Sequence, residues 1–255
     1  MSLDSARPAR TLLRLAVGIA LPLSSAVAIP AAQAAAVARA GAAVCSVAHI
    51  YDVQAQDNRN TSQVGASAGI NSQSPSIYPG RTVPGPRRSV GILNTATGGY
   101  VLFGFVRDSV SIGKAQTYME FRTASGGVGS TLGSLLGNKT LANNTWHNFK
   151  LLYNGGGVWS AHLDGAATAL YKTPNLGFGA GHPFLRVLRT NCDGGGTANL
   201  RSLRHFPTRS TSGLWGANTC RGDTDPGKHL RIVSVSHVEV PNGQSAGGCA
   251  GTTHG

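Results

Sequence analysis

Between Trp146 and Gly165 apolar and polar side chains alternate with a period of two. Phe149, Leu151 and Tyr153 fall on one face, Gly155-Gly156-Gly157 reverses the chain, and Trp159, Ala161 and Leu163 return on one face. Alternation on both sides of a glycine turn predicts a β-hairpin. Asp164-Gly165 supplies a second turn before Thr168 to Lys172, which extends the hairpin to a meander. Shorter apolar or alternating runs occur at His49 to Gln54, Ser89 to Leu93, Tyr100 to Val106, Ala115 to Thr123, Phe184 to Leu188, Leu200 to Phe206 and Leu230 to Val240. Gly, Pro, Asn and Ser separate nearly all of them. About ten short strands with turn signals between them, and no amphipathic helical stretch, predict an all-β chain folded as an antiparallel two-sheet sandwich.

Composition supports this. The 255 residues include 35 Gly and only 13% charged residues, with Glu120 and Glu239 the only glutamates, so extensive helix is excluded. Residues 73 to 88, with Pro75, Pro79, Pro84 and Pro86 among Arg81, Arg87 and Arg88, read as an extended surface loop. Residues 207 to 229 read as a second long connection, which contains Cys220.

The first residues change the compartment. Arg7, Arg10 and Arg14 precede an apolar stretch from Leu15 to Ala28, and Ala32-Gln33-Ala34 follows as a small-x-small cleavage site. Residues 1–34 are therefore expected to be a signal peptide, residues 35–255 a single secreted sandwich domain with its core at about 45–240, and no stable membrane insertion. The expected mature chain keeps Cys45, Cys192, Cys220 and Cys249, an even number in an exported protein, which predicts two disulfides of undetermined pairing. No short C-x-x-C spacing suggests metal, and no cofactor is expected.

The whole chain carries a formal charge of +12. Removal of residues 1–34 takes away three arginines and one aspartate and leaves +10. Many cations fall late: Arg186, Arg189, Arg201, Arg204, Arg209, Arg221, Lys228 and Arg231. If their strands are adjacent they make one basic face, whose partner outside a cell would be an extracellular polysaccharide or other polyanion sooner than nucleic acid. Arg186, Arg189, Arg201 and Arg204, with Trp215 as a sugar platform, are the candidate ligand-binding residues.

The run Trp146-His147-Asn148-Phe149-Lys150-Leu151-Leu152-Tyr153, a glycine turn, and Trp159-Ser160-Ala161-His162-Leu163-Asp164-Gly165 resembles the hairpin of laminin-G-like and concanavalin A-like jelly-roll domains of secreted bacterial proteins. With weaker support the resemblance extends from about Val64 to Phe206. It implies a jelly roll but no particular ligand, because such domains include lectins, glycan-binding modules, glucanases and adhesive domains.

Candidate chemistry is sparse. A retaining jelly-roll glucanase would show E-x-D-x-x-E on one strand, and that pattern is absent. Glu120 sits mid-strand on the face of Tyr118 and Arg122, opposite Met119 and Phe121. Paired with Arg122 or another arginine it would be an ordinary solvated glutamate. Paired with Glu239, or with an amide, around one water it would resemble the jelly-roll glutamic peptidases, the neprosin-like enzymes. Gly65-Ala66-Ser67-Ala68-Gly69 matches a nucleophile elbow only formally, since no helix can follow it. Arg221-Gly222-Asp223 and Asp223-Thr224-Asp225 are weak matches to an adhesion tripeptide and to part of a calcium site. His147 and His162 read as a structural cross-strand pair. The first expectation is thus a noncatalytic binding module for an extracellular glycan or polyanion. The alternative is a secreted hydrolase using Glu120, in which Glu120 lies in a groove beside a second carboxyl group or an amide.

Overall fold

The computed structural model describes residues 50–72, 86–107, 115–131, 138–190, 198–216, 218–221, 231–234, 236–240 and 253–254. The strands in chain order are β1 (Ile50–Gln56), β2 (Gly65–Asn71), β3 (Arg87–Asn94), β4 (Gly99–Arg107), β5 (Ala115–Arg122), β6 (Val128–Ser130), β7 (Thr140–Leu141), β8 (Trp146–Gly155) and β9 (Val158–Leu163). They continue with β10 (Tyr171–Lys172), β11 (His182–Thr190), β12 (Ala198–His205), β13 (Gly213–Leu214), β14 (Asn218–Arg221), β15 (Arg231–Ser234), β16 (His237–Val240) and β17 (Thr253–His254). The described residues contain no helix.

The strands form two antiparallel sheets. The first runs β17-β14-β1-β11-β3-β4-β5-β6, with β7 also on β5; the second runs β10-β9-β8-β2-β12-β16-β15, with β13 also on β12. Strand alternation sends one face of each sheet into a shared core. Val53, Ala55, Val90, Ile92, Val101, Phe103, Phe105, Met119, Leu185 and Val187 come from the first sheet, and Ala66, Ala68, Ile70, Phe149, Leu151, Trp159 and Ala161 from the second. Phe103 and Phe149 meet edge to face at 5.0 Å between ring centroids. The sandwich expected from the alternation is the observed fold.

The hairpin forms as the glycine turn requires: Gly155, Gly156 and Gly157 all have positive φ, which side chains disfavour. Trp159 is fully buried in the core and donates its indole N–H to the Phe178 carbonyl at 3.2 Å.

Several local expectations change. The formal elbow at Gly65 to Gly69 is the interior of β2, where Ala66 and Ala68 face the core and Ser67 is buried, so no nucleophile is presented. Arg87 and Arg88, expected in a loop, open β3; Arg88 points inward, packs over the Phe105 ring and donates to the Asn71 carbonyl at 2.9 Å. His147 and His162 are not a pair. His162 lies across from Lys150, while His147 Nδ1 meets Asp164 Oδ2 at 2.8 Å. Cys45, Cys192 and Cys249, the signal sequence, Arg221-Gly222-Asp223 as a unit, and Asp223 to Asp225 lie outside the described residues.

Candidate functional site

The outward face of the first sheet gathers a cluster of polar and charged side chains around Glu120. Glu120 leaves the outer side of β5, as alternation requires, because Met119 is buried in the core. Its Oε1 accepts from the Tyr100 hydroxyl of β4 at 2.7 Å and from Arg186 Nη1 of β11 at 3.0 Å. Its Oε2 accepts from Arg87 Nη1 of β3 at 3.0 Å. Three adjacent strands therefore hold one carboxylate of the fourth, with side-chain exposures of 14% for Glu120, 17% for Arg87 and 21% for Arg186. Burial first, then the Glu120 carboxylate, pushes the Tyr100 phenol up to about 12. Burial and then the Glu120 charge push Tyr118 upward as well.

Beside this cluster runs a groove of about 430 Å³, lined by Gln54, Leu93, Tyr100, Leu102, Arg122, Gly126, Val128, Phe184 and Arg186. Leu93, Leu102 and Phe184 form a small apolar cluster against which Tyr100 packs, separate from the main core. Tyr100 and Arg186 thus belong both to the groove wall and to the Glu120 clamp. Gln54 sits directly opposite Arg186 in the β1–β11 register, which places its amide on the same outer face one strand beyond the clamp. A carboxylate has about four lone-pair positions. The three donors above leave room for one further hydrogen, such as that of a water.

The sequence singled out Glu120 and Arg186 without joining them, and it expected Glu120 to pair with Arg122 or another arginine; Arg122 is exposed, and the arginines that hold Glu120 are Arg87 and Arg186. It missed Gln54, Tyr100 and Arg87. For Gln54 and Tyr100 the available signal was alternation: both lie opposite inward-facing neighbours, Val53 and Val101.

Other expected groupings separate. Glu239 lies on β16 of the second sheet, flanked by His237 Nε2 at 3.6 Å, so it cannot share a water with Glu120 on the first. The arginines do not make one face. Arg186 and Arg189 belong to β11 in the first sheet, whereas Arg201 and Arg204 belong to β12 in the second. Arg201 stacks its guanidinium 3.6 Å above the Trp146 ring, and Arg204 donates to Ser212 Oγ at 3.1 Å. Trp215, proposed as an exposed sugar platform, is only 1% exposed, because it packs into the main hydrophobic core. No group of three or more metal-ligating side chains occurs among the described residues.

No family profile matches the sequence, and no curated protein matches it. Solved structures do. Scytalido-glutamic peptidase bound to a transition-state analog inhibitor superposes with a TM-score of 0.50 at 10% identity, over 77% of this chain and all of that one. The likeness is one of fold. The peptidase SCP-B of the eqolisin family, bound to the tripeptide Ala-Ile-His, gives a TM-score of 0.48 over the same shares at 10% identity. The β-glucanase of Bacillus licheniformis gives 0.36 at 10% identity, over 62% of this chain and 75% of that one.

Proposed function

We propose that this chain is a secreted hydrolase of the glutamic-peptidase kind, with Glu120 as its general base. The observation that carries the reading is a glutamate held in a fixed orientation at the edge of a groove that also contains an amide. Tyr100, Arg87 and Arg186 fix the carboxylate, and Gln54 lines the groove beside Arg186.

The chemistry follows from those positions. A water bound at the remaining acceptor position of Glu120 gives its proton to the carboxylate as its oxygen attacks a peptide carbonyl carbon. The carbonyl oxygen becomes negative, and the Arg186 guanidinium and the Gln54 amide N–H are the groove groups suited to stabilise it. Glu120 then returns the proton to the leaving amine as the C–N bond breaks. A two-carboxylate glycosidase fits less well. Retaining and inverting glycosidases both need a second carboxyl group within about 5–10 Å of the first, and Glu120 is the only carboxylate among the described residues of the clamp and groove. The apolar floor of Leu93, Leu102 and Phe184 suits a side chain of an extended peptide.

One observation favours the noncatalytic alternative: Arg122 and Arg186 line the groove, and arginines beside an aromatic wall also suit an anionic glycan. The two readings part on turnover. Protein recovered from the medium after expression of the full chain is incubated with an unfolded polypeptide and with insoluble polysaccharides. New peptide termini support the hydrolase, whereas retention on polysaccharide without any released peptide or sugar supports the module.

A further inference from the structure

On the opposite side of the sandwich, the outer face of the second sheet carries a cavity of about 620 Å³ whose polar lining includes Asn154, Ser160, His162, Thr168, Lys172 and Arg209. Its floor is a buried polar pair. Ser160 and His162 alternate outward from β9 between the core residues Trp159, Ala161 and Leu163, yet they are only 1% and 8% exposed. Ser160 Oγ lies 3.0 Å from His162 Nε2, and His162 Nδ1 lies 3.0 Å from the Ala166 carbonyl oxygen. Ser160 Oγ also lies 3.2 Å from the Leu152 carbonyl oxygen.

A carbonyl can only accept, so Nδ1 carries a hydrogen in either protonation state. In the neutral ring Nε2 accepts the Ser160 hydroxyl hydrogen. In the cationic ring Nε2 donates to Ser160 Oγ, and the hydroxyl turns its hydrogen to the Leu152 carbonyl. Both arrangements are fully hydrogen-bonded without any heavy atom moving.

The surrounding charges are mostly positive. Lys172 lies across from Ser160 on β10 and Lys150 across from His162 on β8. Arg209 closes the cavity from the segment after β12. The nearby carboxylate, Asp164, is engaged by His147 Nδ1 and by the Asn148 N–H, both at 2.8 Å. The described lining contains no carboxylate.

We propose that this cavity is a second ligand site, separate from the Glu120 groove, that takes a sugar-sized organic anion, with Lys172 and Arg209 meeting the charge and Asn154 and Thr168 the hydroxyls. The inference rests on this cavity alone and is independent of the hydrolase reading.

Calorimetric titration of the intact protein with glucuronate, sulfated glucose and neutral glucose tests it. Saturable binding of one or both anions but not of glucose is expected. The stronger of the two identifies the ligand as carboxylated or sulfated. Replacing both exposed cations, Lys172→Ala with Arg209→Ala, is expected to weaken binding about tenfold or more. Glu120→Gln, on the other sheet, leaves binding unchanged. Absence of saturable anion binding, equal binding of glucose, or binding indifferent to loss of Lys172 and Arg209 overturns the site.

Discussion

Glu120→Ala would leave the Arg87 and Arg186 guanidinium groups, 17% and 21% exposed, around the space the carboxylate had filled. An exposed ion pair contributes up to about 1 kcal/mol, and removing one partner of a fully buried pair costs about 3–5 kcal/mol. The clamp sits between these limits. Some solvent reaches Glu120, Arg87 and Arg186, and Tyr100 is only partly buried, so water can replace the lost Glu120 oxygen at its hydroxyl. The expected loss is therefore about 2–3 kcal/mol, which in a domain of this size corresponds to a fall in Tm of about 5–10 °C. Much of that loss is repulsion and desolvation of the two cations, so adding Arg186→Leu should recover about 1 kcal/mol or more instead of deepening it. Urea unfolding of wild type, both single variants and the double variant gives the coupling directly. A loss below about 0.5 kcal/mol for Glu120→Ala, or simple additivity of the two substitutions, would show that the three strands do not hold the carboxylate in place.

In an alkaline absorbance titration the Tyr100 phenol should ionise near pH 12, and Glu120→Gln should bring it down toward 10, since the hydrogen bond and charge of Glu120 follow burial among the causes of its elevation. Because the folded value lies above the ordinary 10, the stability Tyr100 contributes is complete below about pH 10 and is lost as pH rises to about 12; Tyr100→Phe should flatten that decline in a pH series of urea melts. Trp159→Ala removes a fully buried indole packed against Tyr153 and Phe178 and should cost about 3–5 kcal/mol by thermal or urea unfolding. Gly104→Ala places a methyl 1.9 Å from the Arg88 carbonyl oxygen, a backbone atom that can yield only by shifting β3, and should cost about 1–3 kcal/mol in the same assay.

The sandwich was legible where large apolar residues alternate with polar ones, as in β5, β8 and β9, or run together, as in β4. It was illegible at β2, whose Gly-Ala-Ser-Ala-Gly sequence has almost no hydrophobic contrast although Ala66 and Ala68 are fully buried. Small residues there let the strand pack closely in the centre of its sheet, and the same smallness erases the periodic signal. The single pattern from Leu230 to Val240 is likewise two strands, β15 and β16, because a turn between them breaks the run.

At the candidate site, alternation alone placed Glu120 outward. What held it could not be read, because Arg87 and Arg186 reach it from strands that register brings together across 33 and 66 residues of chain. Arg87 was further hidden by the prolines before it, which made the start of β3 look like the continuation of a loop. Late arginines that suggested one basic face are divided by the assignment of β11 and β12 to opposite sheets, a choice that strand pattern does not encode.

The measurement that bears most directly on the central claim is hydrolysis of an unfolded polypeptide in heavy-oxygen water by the wild-type protein and by Glu120→Gln, with the fold of both checked by circular dichroism. A general base at Glu120 predicts new C-termini carrying heavy oxygen with the wild type and a rate at least about a hundredfold lower with the variant. Equal labelling by the two folded proteins, or no labelling by either, would contradict it.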